Sequence, residues 1–201
     1  MRRQLTVAAI VVPLALAGSA AVSAASSGNL QATTDTLAMT RIEGSSAIPH
    51  QPRQQATTLD ELLDRSALQR ERAATATGQI DRCESLAGAR QSLLDVAADR
   101  EDLVDELNQT DLSDLPNNET LRVDLEDAWD ASADSDRNYA DWAREAQDEG
   151  CPRGGPAPRT EAHRAAQFTD ELATESKEAF VELWNPIASS YGLAERSDRE
   201  I

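Results

Sequence analysis

Two cysteines, two histidines and thirty-six carboxylates are the groups in this 201-residue chain best suited to chemistry. Cys83 and Cys151 lie too far apart to be a CxxC redox pair, and neither has a histidine or second cysteine at metal-ligand spacing. His50 falls in a polar stretch and His163 on a helix face expected to meet solvent, so no metal site is expected. No GxSxG, HExxH, P-loop, GxGxxG or calcium-loop spacing occurs after the leader. The acidic stretch "DLSDLPNNE" lacks the glycine and the closing ligand spacing of a calcium loop and is expected to be a turn. Hydrolysis by paired carboxylates would need one of them raised in pKa within an apolar pocket. The tightest cluster, Asp134, Asp136 and Asp141 around Tyr139 and Trp142 near Arg137, is expected to be a solvated face beside a core stripe. No catalytic residue, metal ligand or cofactor is therefore assigned, and the chain is expected not to be an enzyme.

The elements that would position such groups begin with an export signal. Arg2 and Arg3 precede an apolar run from Leu5 to Leu16, followed by small residues suited to cleavage near Ala24 or Ala25. That run is short for a span, which needs about 20 residues. Residues 1–25 are thus expected to be a signal peptide, and the mature protein a secreted or envelope-associated one without stable membrane insertion. The formal charge of −17 becomes about −19 once the two leader arginines are removed. Such a surface repels phosphate backbones and anionic lipids, which argues against nucleic-acid partners. Lys177 is the only lysine among nineteen basic residues and reads as compositional bias, not as a site.

Residues 26–57 are rich in Ser, Thr and Gln without a sustained period, the composition of a disordered spacer. A helical domain is expected over 58–195, with a short tail over 196–201. Thr58 and Glu61 suggest a capping box opening a first helix to about Ala74, with a break near Gly78. A second helix is expected from about Gln79 to Asn108, a third from about Asn118 to Gly150, and a fourth capped by Thr160 and running to Trp184. Pro186 should push Asn185 off helical geometry and end the fourth.

The second and third helices carry matching seams at alternating steps of three and four. One reads Leu86, Ala89, Leu93, Val96, Arg100, Leu103, Leu107; the other reads Leu121, Leu125, Ala128, Ser132, Ser135, Tyr139, Trp142, Ala146. The short turn between them forces an antiparallel hairpin. Asn117, inside that turn, lies midway between the cysteines, so folding there sets Cys83 beside Cys151. A disulfide closing the open end of the hairpin suits an oxidising compartment. The fourth helix should bury Phe168, Leu172, Ala179, Phe180, Leu183 and Trp184. The first should bury Leu59, Leu62, Leu63 and Leu68. The expected fold is an all-α antiparallel bundle of three or four helices built on this hairpin.

Arg100 interrupts its seam opposite Ser135, with Asp134 or Asp136 in reach of its guanidinium. Together with Ser132 and Ser135 it could line a small polar cavity for an anionic ligand. Trp142 and Trp184 lie on core stripes. Trp129 neighbours a seam and is expected to be core or partly covered, yet of the three it is the tryptophan best placed for a contact surface.

The stretches "RNYADWAREA", Gly150-Cys151 and "KEAFVELWNPIASSYGL" carry a resemblance. The chain resembles small exported proteins of high-GC Gram-positive, actinobacterial type, with a Gly-Cys after one helix and a C-terminal WNP motif. The resemblance implies export and a helical fold, and it carries over no catalytic residue. The expected function is a non-enzymatic interaction module that contacts an envelope or extracellular protein, near Trp129 or the tail after Pro186. The alternative is a bundle that binds a small ligand around Arg100, in the manner of a sensor ectodomain.

Overall fold

The computed structural model describes residues 50–152 and 155–201. The expected leader and residues 26–49 of the spacer lie outside the described residues. The described fold is all-α: α1 (His50–Asp81), α2 (Leu86–Gln109), α3 (Asn118–Glu149) and α4 (Glu161–Tyr191), then a 3-10 turn over Asp198–Glu200. Each helix packs on its neighbour in sequence, most extensively α3 on α4 and α2 on α3, whereas α1 meets α4 only sparsely. The bundle therefore has four helices and one loosely closed seam.

The hairpin forms as the seam spacing requires. From α2, Ala89, Leu93, Val96, Arg100, Leu103 and Leu107 are buried, and from α3 Leu121, Leu125, Ala128, Ser132, Ser135, Trp142 and Ala146. Asn117 makes the turn with φ 54°, a left-handed conformation that asparagine tolerates better than most residues. At the open end, Cys83 and Cys151 are joined by a disulfide, their Cα atoms 6.0 Å apart. Thr160 caps α4 by accepting the His163 backbone N–H at 3.4 Å.

Four expectations about boundaries are corrected. α1 starts at His50, so residues 50–57 belong to the bundle, and Thr58 lies inside a helix instead of capping one. Buried Ala56 and Leu59 supply the reason: the apolar stripe of α1 begins before Thr58. Gly78 stays helical; the break comes at Cys83 and Ser85, both left-handed, so that the disulfide lies in the α1–α2 link. α4 runs through Pro186 to Gly192, whose φ of 70° closes it. Proline removes the bond to the carbonyl of Glu182, but both residues are on the solvent side, where water can meet that oxygen.

The tail after α4 does not hang free. Asn185 donates to the Arg196 carbonyl at 3.0 Å and accepts the Arg196 N–H at 2.8 Å. The Arg196 guanidinium then reaches Asp60 at 2.5 Å and Asp64 at 2.7 Å on α1, and Ile201 is fully buried. The asparagine of the WNP sequence is thus a clasp that returns the chain to the first helix. Asn185→Ala should cost about 2 kcal/mol, at roughly 1 kcal/mol for each of the two bonds. It should also raise amide exchange over 193–201 while α2 and α3 stay protected.

Candidate functional site

Two apolar clusters make up the core. One, at the turn end, gathers Leu59, Leu63, Leu103, Leu107, Leu125, Trp129, Phe180 and Trp184. The other, at the disulfide end, gathers Ala76, Ile80, Leu93, Ala140, Trp142 and Ala146. Between them in sequence register, all four helices contribute polar side chains: Arg70 from α1, Arg100 from α2, Ser132 and Asp136 from α3, and Asp170 and Lys177 from α4. These residues line a cavity of about 460 Å³, completed by Tyr139 and by small side chains such as Ala73, Ala74 and Ala173. Its place follows from the packing, because small residues of α1 and α4 face each other across the loosest seam.

Arg100 is 3% exposed, and its Nε donates to Asp136 at 2.9 Å. Its Nη1 is buried without a partner among the described residues. That is costly, because an unmet buried donor keeps its full desolvation penalty. Lys177 is also buried, and makes no hydrogen bond or ion pair among the described residues. Burial first, then the nearby Arg100 and Arg70 charges, pull its pKa down to about 8.

The carboxylates of the cavity are engaged. Asp170 accepts from Ser135 Oγ at 2.5 Å and from Tyr139 Oη at 2.7 Å. Burial, then this carboxylate, push the Tyr139 pKa up. Burial outweighs the adjacent Arg100 at Asp136 and raises its pKa to about 6 from an ordinary 3.8.

A raised carboxyl pKa reverses the usual effect of acid. Between about 3.8 and 6 the folded chain holds the Asp136 proton more tightly than the unfolded chain does, so this group makes stability fall as pH rises through that window. At about 1.4 kcal/mol per pH unit, the whole window is worth roughly 3 kcal/mol. Asp136→Asn should therefore remove a stability gain that the wild type shows on going from pH 7 to pH 5. Urea unfolding of both proteins at the two pH values checks this.

Of the residues singled out from sequence, Arg100 and Ser132 line the cavity, while Ser135 is buried behind it and orients Asp170. Asp136, not Asp134, receives the guanidinium. Asp134 and Asp141 are exposed and pair with Arg137 and Arg144, so the acidic cluster does not converge. Trp129 is fully buried in the turn-end cluster and is no contact surface. The core reading of Trp129 holds and the contact-surface alternative does not, because α3 buries a stripe wider than its narrow seam.

His163 is also buried, its ring 4.6 Å from that of Trp142 and beside Arg159; burial first, then Arg159, lowers its pKa. On α4, Phe168 is 62% and Leu172 42% exposed, and Ala179 is exposed as well. Leu68 of α1, 61% exposed, also misses the core.

Sequence reasoning missed Lys177. The seam of α4 reads Ala166, Ala173, Lys177, Phe180, Trp184, Ile187, all buried at steps of three, four or seven. Counting back from Phe180 and Trp184 would have placed the lysine inside. Asp170 and Arg70 carried the same signal: Asp170 lies four residues after Ala166 and three before Ala173, and Arg70 lies four after buried Ser66 and seven after Leu63.

No group of three or more histidine, cysteine, aspartate or glutamate side chains among the described residues is arranged to hold a metal ion. No described helix is long and apolar enough to cross a membrane. Comparison of the chain with known protein families, curated proteins and solved structures gives no match.

Proposed function

We propose that the chain is a small-ligand-binding helical bundle that works outside the cytoplasm, as a binding protein and not an enzyme. The observation that carries this is the four-helix cavity lined by Arg100, whose guanidinium makes a single hydrogen bond, to Asp136, and by Lys177, which has no partner among the described residues. Its volume falls within the range typical of ligand sites, roughly 300–1,000 Å³. Both cavity carboxylates are already committed, Asp136 to Arg100 and Asp170 to Ser135 and Tyr139, which supports binding over acid–base catalysis. The Cys83–Cys151 disulfide supports an oxidising compartment, in keeping with the leader and with the resemblance to exported actinobacterial proteins.

The test is thermal unfolding of the mature protein against a panel of metabolite-sized neutral, cationic and anionic compounds. A saturable rise in Tm for at least one class is expected. The rise should vanish in Ala74→Phe, which fills the cavity mouth from an exposed position. No rise with any compound, or equal rises in both proteins, would reject the reading.

The interaction-module reading keeps one specific support, the exposed Phe168 and Leu172 one turn apart on α4. Crosslinking on intact cells separates the two. An envelope protein captured by the wild type, and lost with Phe168→Ser and Leu172→Ser, would favour the contact surface.

A further inference from the structure

The cavity wall has two chemically distinct parts. One is charged: Arg70, Arg100 and Lys177 against Asp136 and Asp170, an excess of one positive charge inside a chain of formal charge −17. The other is made of small apolar carbons from α1 and α4, namely Ala73, Ala74 and Ala173, with the Tyr139 ring beside them.

Within the charged part the cations are unequally satisfied. Arg70 is anchored by donating to the Arg199 carbonyl of the C-terminal tail, and Arg100 spends its Nε on Asp136. That leaves the rest of the Arg100 guanidinium and the Lys177 ammonium without acceptors among the described residues, and the two charges repel one another. A single negative charge between them would neutralise the excess and satisfy both donors, whereas a dianion would leave the cavity net negative. The remaining volume, walled by alanines, suits carbon and not a second charge.

Resting on the ligand-binding reading, we propose that the cavity takes a small organic monocarboxylate. The carboxylate is held between the Arg100 guanidinium and Lys177, and the apolar body lies along Ala73, Ala74 and Ala173. Asp136 competes with this ligand for Arg100, so affinity responds to pH. Arg70, Arg100, Asp136, Tyr139, Asp170 and Lys177 are the charged or titratable groups that line the cavity. Loss of the Lys177 proton above about pH 8 removes a carboxylate partner, and protonation of Asp136 below about pH 6 frees one.

A matched set of probes with one ring tests the class: benzoate, benzamide, benzylamine and phenylphosphonate, measured by calorimetric titration. Benzoate is expected to bind saturably, and the amide and amine not at all. Phenylphosphonate is expected to bind more weakly than benzoate. Benzoate affinity should fall as pH rises through 8. Lys177→Met, which removes a buried charge and should fold well, is expected to lose at least tenfold in benzoate affinity, and Lys177→Arg to recover most of it.

Benzamide or benzylamine binding as tightly as benzoate would overturn the carboxylate while leaving the cavity a binding site. Phenylphosphonate binding more tightly would overturn the single charge. Failure of benzoate to bind, while other compounds of the broader panel do, would overturn the monocarboxylate alone. Failure of every compound of that panel would overturn the ligand-binding reading as well.

Discussion

Arg100→Met is expected to destabilise the fold by about 3–5 kcal/mol at pH 7, the cost of breaking a buried ion pair by removing one partner. The methionine refills most of the space, so the loss is electrostatic: Asp136 stays buried with its ion-pair partner gone. Acid should reduce the effect, because protonation of Asp136 removes the orphaned charge. Adding Asp136→Leu should do more. With both partners apolar, packed carbon replaces the buried ion pair, and replacements of this kind are often neutral or stabilising by about 1–4 kcal/mol. The double variant should thus regain wild-type stability or exceed it. Chemical unfolding of wild type, both single variants and the double variant closes the cycle.

Removing the disulfide is the second large effect. Cys83→Ser with Cys151→Ser should cost about 4 kcal/mol in the chain-entropy model, since the bridge closes a loop with a sequence separation of 68. The damage should concentrate at the open end. There the bridge sits beside the 3.0 Å bond from Ala157 N–H to the Asp81 carbonyl and the 2.7 Å ion pair of Arg159 with Asp81. The Trp142 indole N–H, which donates to the Pro158 carbonyl at 2.7 Å, reports on the same region. Reduction should shift the fluorescence of Trp142 before that of Trp129 and Trp184, which sit in the turn-end cluster. Single-tryptophan proteins followed during titration with reductant would show the order.

The bundle was legible where apolar residues recur at heptad steps, as in the α2 and α3 seams, and where turn chemistry punctuates them, as at Asn117 and Thr160. The disulfide followed from the symmetry of the cysteines about the turn. Legibility failed where packing overrode local cues. Pro186 did not stop α4, because its missing donor faces solvent, and Thr58 did not start α1. The large side chains of Phe168 and Leu172 drew the expected face of α4 away from its real one, which is built from Ala166, Ala173 and Lys177.

The candidate site was half visible for a related reason. Arg100 stood out as a charge inside an apolar seam, with Ser132 and Ser135 on the facing one. Lys177 hid as a charge in a seam marked on its N-terminal side only by alanines, Ala166 and Ala173. Asp170 and Arg70 belong to the site only because the helices bring four distant segments together.

The most direct measurement is thermal unfolding of the Arg100→Met, Asp136→Leu double variant with and without the compounds that stabilise the wild type. If the polar layer is kept for binding and not for stability, the double variant unfolds at or above the wild-type temperature and no compound shifts it. A double variant that unfolds well below wild type, or one that the same compounds still stabilise to the same extent, would contradict that claim.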